Sequence, residues 1–251
     1  LLILGLFALT LWWGGTALVW LLVRRTQAPG AAVWMLPVAG GMSLGVIHGV
    51  SPLSSVAASV IGFSAALVLW GALETAHLLG FLTGPEKRFC PAQLPLLERF
   101  RRGINVGLYH DLSILLALAV LWVLSWQGAN PAAAWAFTVL WLMRWSAKLN
   151  LFLGVSNFDT GLMPERMRYM ASYMQRRALN PLFPLSLGLG LLAAVLAAVT
   201  ALNPAELAGL RAAATLAGTL AALGVIEHAL MMLPVRDSQL WRWAAAQSAD
   251  S

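Results

Sequence analysis

The chain reads as an all-α integral membrane protein, a bundle of about seven transmembrane helices, and three observations predict it. Of its 251 residues 60% are hydrophobic and only 10% charged, and the mean hydropathy of +0.77 leaves too little polar surface to coat a water-soluble globule. The apolar residues gather into stretches of roughly 20 or more, the length a helix needs to cross the hydrocarbon. They do not alternate as the shorter strands of a barrel would, whereas a helix satisfies its own backbone in lipid.

Seven stretches qualify. The first, Leu2 to Val23, has no basic residue before it and Arg24 and Arg25 after it. That is the reverse of a cleavable signal, so it is expected to stay as an anchor; with no initiating Met, we also expect residues ahead of Leu1. The second, Ala31 to Val50, carries Gly41 and Gly45, a small-xxx-small spacing that lets backbones approach. The third runs from Ser54 to Leu82, the fourth from Ile104 to Trp126 and the fifth from Ala132 to Val155. Trp126 and Trp135 flank the short turn between the last two as interface anchors would, while Trp70, Trp122 and Trp141 fall deeper and are read as packing. The sixth is Leu185 to Leu202, and the seventh, Leu207 to Leu233, has a second small spacing in Ala214 and Gly218. Together these make one domain over residues 1–235, with 236–251 as a short tail. No internal repeat and no pair of interrupted spans of the kind secondary transporters use is present.

Every Lys and Arg except Arg144, Lys148 and Arg211 falls on one side of these spans. They are Arg24 and Arg25; Lys87, Arg88, Arg99, Arg101 and Arg102; Arg166, Arg168, Arg176 and Arg177; and Arg236 and Arg242. Positive loops stay in the cytoplasm, so the N-terminus is expected outside and the C-terminus in the cytoplasm. The net charge of +6 then faces anionic lipid headgroups and implies no nucleic acid. The lone Cys90 lies in a cytoplasmic loop, where a disulfide is not expected.

Ionisable residues inside the spans carry the functional reading, because lipid makes them costly without a partner, a wet cavity or a ligand. They are Glu74, His77, His110, Asp111, Arg144, Lys148, Glu227 and His228. At the helical rise, Glu74, His110, Lys148 and Glu227 all come out about 9 to 14 Å from the cytoplasmic surface, one layer contributed by four spans. Facing inward together they would line a polar chamber. Carboxylate and imidazole suit iron, zinc and similar metals, with Glu74, His110, Asp111, Glu227 and His228 as candidate ligands and Lys148 and Arg144 as supporting charge. His110, His228 and His77 are candidate axial ligands to a haem or a chlorin such as bacteriochlorophyll. Against both stands a structural reading, in which carboxylates neutralised by Lys148, Arg144 and protonated His hold the helices in register. The chain has one Glu-x-x-His motif, Glu74 with His77, where the di-iron bundles use two, so that template fails. His48 stands alone near the outer end of the second span and is read as interfacial.

Between the fifth and sixth spans, Pro164 suits a helix start, and the run to Arg177 sets Met167, Met170 and Met174 on one stripe among arginines. It is expected to form an amphipathic helix on the cytoplasmic membrane surface, either a plain connector or a Met-rich docking site for a partner.

The run MRWSAKLNLFLGVSNF, Met143 to Phe158, followed by NPLFPLS, Asn180 to Ser186, resembles PuhE, a family of photosynthetic complex assembly proteins of purple phototrophic bacteria. GFLTGP, Gly80 to Pro85, and the pair Glu227-His228 followed by Leu233-Pro234 resemble it too, so the likeness runs from about the third span to the seventh. His110-Asp111 agrees with the family. The third span departs from it, with Leu73 where members carry a His before the acid, which favours Glu74 over His77 as a ligand. The resemblance implies a bacterial inner-membrane protein that helps assemble the reaction centre and its core antenna, or adjusts bacteriochlorophyll supply to them.

Three functions follow as expectations. The first is a non-enzymatic assembly factor with the lipid bilayer, reaction-centre and antenna subunits and pigment-biosynthesis proteins as partners. The second is a metal-dependent enzyme on a tetrapyrrole or isoprenoid, using His110, Asp111, Glu227, His228 and Glu74. The third is a carrier of haem or bacteriochlorophyll on an axial His.

Overall fold

The computed structural model describes residues 1–26, 30–126, 128–158 and 163–233. Among them nine α-helices follow one another without a strand: α1 (Leu2–Arg25), α2 (Ala32–Val50), α3 (Val56–Leu78), α4 (Leu96–Val106), α5 (Leu108–Trp126), α6 (Ala132–Leu153), α7 (Arg168–Ala171), α8 (Leu182–Leu202) and α9 (Ala208–Leu230). Six of them, α1, α2, α3, α5, α8 and α9, are long and apolar enough to cross a membrane. That is the all-helical membrane class expected from composition. α6 is as long, at 22 residues, but Arg144, Lys148 and Asn150 make it less apolar.

The centre of the bundle is α3, α6 and α9, which pack on one another; α1 lies against α3 and α9, α2 against α3, α5 against α6, and α8 against α9. Close approach here comes from alanine. Ala65 and Ala66 of α3, Ala133, Ala134 and Ala136 of α6 and Ala213 of α9 are buried, and larger side chains fill between them. Trp70 meets Phe137 edge to face at 5.2 Å, so this deep tryptophan packs as expected. Outer faces are apolar too: Leu185, Leu189, Leu192, Leu196 and Val199 of α8 are all exposed, as a helix bathed in lipid requires. Of the two small-xxx-small pairs, Ala214 is buried and a Cβ on Gly218 would come within 2.8 Å of Ala197, so that pair seats α9 on α8. Gly41 and Gly45 meet nothing within 4 Å and make no such contact.

Several boundaries differ from the sequence reading by two to four residues, among them the end of the seventh span at Leu230 in place of Leu233, and three have a clear local reason. α3 stops at Leu78, four residues early, because Gly80 takes φ +86° and the N–H groups of Phe81 and Leu82 turn back to the Ala76 carbonyl. The fourth span begins at Leu108 instead of Ile104, since the 83–86 loop takes its backbone partners: Tyr109 N–H donates to Thr83 and Glu86 N–H to Asn105. What precedes it is a separate amphipathic helix, α4, with Leu96 and Leu97 exposed. On its other side Glu98 accepts from both Arg101 and Arg102 at 2.9 Å; these bonds hold its carboxyl down to about 2. The sixth span begins three residues early because Asn180 Oδ1 caps the N–H groups of Leu182 and Phe183.

The segment after Pro164 is a correction. It forms a 3-10 turn, Glu165–Met167, and the single turn α7, not one long amphipathic helix. Its continuation is claimed by the end of α6: Gln175 N–H donates to Leu151, Arg177 N–H to Val155, and Val155 N–H to Gln175. Met167 and Met170 are buried against Val106, Tyr169 and Tyr173, so two of the three methionines form a small core; Met174 is half-buried and lines the bundle's cavity. Cys90 is partly buried beside this cluster, unpaired, its thiol pushed up by burial. Pro234, Arg236, Arg242 and the tail 236–251 lie outside the described residues.

Candidate functional site

At the end of the bundle where α3 and α6 finish and α5 begins lies a cavity of about 710 Å³. Its walls are mostly apolar and aromatic: Trp12 and Trp20 of α1, Trp70 of α3, Phe100 of α4, and Trp145 and Phe152 of α6. Glu74, His77, Asp111, Arg144, Lys148, Glu227 and His228 also line it. Three members of the layer inferred from helical rise, Glu74, Lys148 and Glu227, line this cavity, while His110 is fully buried and does not; α4 closes one side through Gly103 and Ile104.

Within that layer the acids and bases are matched. Arg144 Nη1 donates to Glu74 Oε1 at 2.6 Å, and Lys148 Nζ is paired with Asp111 Oδ2. Both cations stand on α6 one turn apart, while the carboxylates come from α3 and α5, so two ion pairs tie three helices. Glu227 is exposed and accepts from Trp12 Nε1 at 3.2 Å, linking α9 to α1.

The three histidines differ in what their nitrogens have left. His228 uses both: Nδ1–H donates to the Gly224 carbonyl at 2.7 Å and Nε2 accepts from the Ser146 hydroxyl at 2.8 Å. It clamps α9 to α6 with no lone pair to spare. His110, fully buried, accepts at Nδ1 from Arg144 Nη2 at 3.2 Å. A guanidinium has only donors, so the neutral ring carries its proton on Nε2, which is enclosed without a hydrogen-bond partner and 3.9 Å from Glu74 Oε1. His77 is the reverse. Nδ1–H donates to the Leu82 carbonyl at 2.6 Å, which leaves the Nε2 lone pair unused, and its ring stacks on His110 at 4.2 Å. His48 is exposed near the end of α2, away from the chamber.

Glu74, His110, Asp111, Glu227 and His228 do not form one ligand shell. Among the described residues no three His, Cys, Asp or Glu side chains stand close enough to hold a metal ion. Two of those acids are occupied by Arg144 and Lys148 and one imidazole by Ser146.

Reading the sequence for ionisable groups missed the neutral ones. Ser146 and Asn150 sit one turn apart on α6; Asn150 Nδ2 donates to the Ser146 carbonyl and to Ser186 Oγ, both at 2.9 Å. Asn180 Nδ2 donates to the Gly154 carbonyl and Asn157 Nδ2 to the Leu230 carbonyl. These residues fall in the two runs Met143 to Phe158 and Asn180 to Ser186 and form a polar seam joining α6 to α8 and α9. The available signal was polar residues at i, i+4 within an apolar span. His228→Ala and Ser146→Ala should each cost about 1 to 3 kcal/mol, and the double variant less than their sum; thermal unfolding in detergent would measure both.

A family model described as "Protein of unknown function (DUF3623)" matches residues 1–251. The chain is 34% identical over 247 residues to a Rhodobacter capsulatus protein named "Uncharacterized 30.4 kDa protein in puhA 5′region", a match covering 96% of this chain and 89% of that one. No solved structure matches it.

Proposed function

We propose that this chain, which belongs to the DUF3623 family, is a PuhE-type assembly factor of the bacterial inner membrane. It serves the photosynthetic reaction centre and its core light-harvesting antenna, or adjusts the bacteriochlorophyll supplied to them. The observation that carries this reading is an agreement: the Rhodobacter capsulatus relative is named for the 5′ region of puhA, and the resemblance to PuhE rests on the runs that build the polar seam.

In this reading α6 is the seventh span. Residues 1–235 then form one domain, with the N-terminus periplasmic and the Arg-rich end, where the chamber lies, cytoplasmic. Contacts with reaction-centre and antenna subunits, and with pigment-biosynthesis proteins, are transient. No reaction is assigned, since a hydrolytic or redox metal centre finds no three-residue ligand set among the described residues. The carrier reading has one observation in its favour, the imidazole lone pair of His77 beside a largely apolar cavity.

Deleting the gene in a phototrophic host should lower the assembled reaction centre and core antenna per unit of membrane protein, read from near-infrared absorbance of isolated membranes. The tagged protein should bring down reaction-centre or antenna subunits in mild detergent. Normal complex levels together with no co-purifying subunit would remove the proposal.

A further inference from the structure

We infer that the chamber holds a metal-centred planar macrocycle, of the haem or chlorin class, with His77 Nε2 as its one axial ligand from the protein. The inference deepens the function proposed above, and rests on it only for why such a molecule would be present.

Of His77 and His228, which line the chamber, and His110, buried against His77, only His77 keeps a lone pair, since Nδ1 of His110 is occupied by Arg144 and both nitrogens of His228 are used. The acids are spoken for as well: Glu74 and Asp111 are paired, and Glu227 holds Trp12. Among the described residues a bare ion would find no three ligands close together, too few for a stable site of protein side chains. A metal held by one imidazole must bring its other donors with it, and a tetrapyrrole does so with four in a plane. His77 is prepared for that role. Its Nδ1–H is fixed on a backbone carbonyl, the outer hydrogen bond that sets ring orientation and tautomer in metal-ligating histidines.

The cavity suits the rest of such a molecule. Its 710 Å³ falls within the range of sites that enclose cofactor-sized ligands. Trp12, Trp20 and Trp145, half-buried along its walls, supply aromatic surface to a flat ring. The pairs Glu74–Arg144 and Asp111–Lys148 balance four of the acidic and basic side chains that line it, and Glu227 accepts from Trp12.

The test uses the full chain in mild detergent with two probes, ferric protoporphyrin and a zinc chlorin. Saturable binding near one per chain is expected for at least one of them, with an absorption shift characteristic of imidazole ligation; which one binds distinguishes haem from chlorin. His77→Ala should weaken binding by about tenfold or more and abolish that shift, and added imidazole should restore it. His77→Gln, whose amide can still donate to Leu82, provides a folded variant without a ligating nitrogen if the alanine variant fails to fold. His48→Ala should change nothing. Unaltered spectra in both His77 variants, or no saturable binding of either probe to the wild type, would overturn the inference. Neither result would touch the assembly function, which is read from complex levels in the host.

Discussion

Arg144→Met should destabilise the protein by about 2 to 4 kcal/mol, somewhat less than the cost of stranding a fully buried charge, because Glu74 and Arg144 are only partly buried. The guanidinium has two tasks: Nη1 neutralises Glu74 at 2.6 Å and Nη2 fixes His110 at 3.2 Å. Methionine fills similar volume but satisfies neither. Glu74 would then have to take a proton or draw water into a chamber walled by tryptophan and leucine. The double variant Glu74→Gln with Arg144→Met removes the stranded charge and should recover most of the loss, because an apolar or neutral replacement of a whole buried pair costs little. Thermal unfolding in detergent, compared across the two variants and wild type, decides the matter. Equal loss in single and double variants would mean that Arg144 acts through its packing or through His110, and not through the charge of Glu74.

That pair also shows how far the sequence could be read. The class of fold was visible because lipid imposes length and hydropathy on each span, and both survive without tertiary knowledge. The similar depth of Glu74, His110, Lys148 and Glu227 could be inferred for a similar reason, since a fixed rise per residue turns chain position into height. Height is only one coordinate. Which acid meets which base depends on the rotation of each helix about its axis, and no local property of the sequence sets that. Glu74 took Arg144 and Asp111 took Lys148, so residues grouped as a metal shell are instead divided between two ion pairs and a serine-bound imidazole.

The resemblance to PuhE favoured Glu74 over His77 as a ligand, yet Glu74 is paired, and His77 alone of the chamber imidazoles keeps an unused lone pair. What frees it is a carbonyl five residues away, exposed by the turn at Gly80. In a helix running on to Leu82 that carbonyl would lie more than a turn beyond His77 and point away from it along the axis. Boundary errors of four residues, harmless for counting spans, therefore decide the chemistry of a site placed where spans end. The segment after Pro164 failed similarly: its methionines had helical spacing, but the end of α6 competed for the backbone of residues 175–177 and won.

Gly84→Val should cost about 2 to 5 kcal/mol, as replacements that force backbone apart do, and should loosen one wall of the chamber. A Cβ at this position would run into the carbonyl oxygen of Asn105 and approach Leu108 N to 2.9 Å. Both are main-chain atoms at the break between α4 and α5, and no rotamer change can move them aside. The loop must retreat, taking with it the bonds from Tyr109 N–H to Thr83 and from Glu86 N–H to Asn105. α4 then loses its tie to α5, and with it the placement of Phe100, Gly103 and Ile104 at the cavity. Limited trypsin digestion reads this directly, since Arg99, Arg101 and Arg102 lie on α4 and should be cut sooner in the variant. Gly41→Ala is the matched control: nothing lies within 4 Å of a Cβ there, and alanine suits a helix better than glycine. Its unfolding midpoint should stay at or slightly above that of the wild type. Should the Gly84 variant behave as the Gly41 one does, the 83–86 loop would not be what breaks the helix at Gly107, and the shape of the chamber would need another cause.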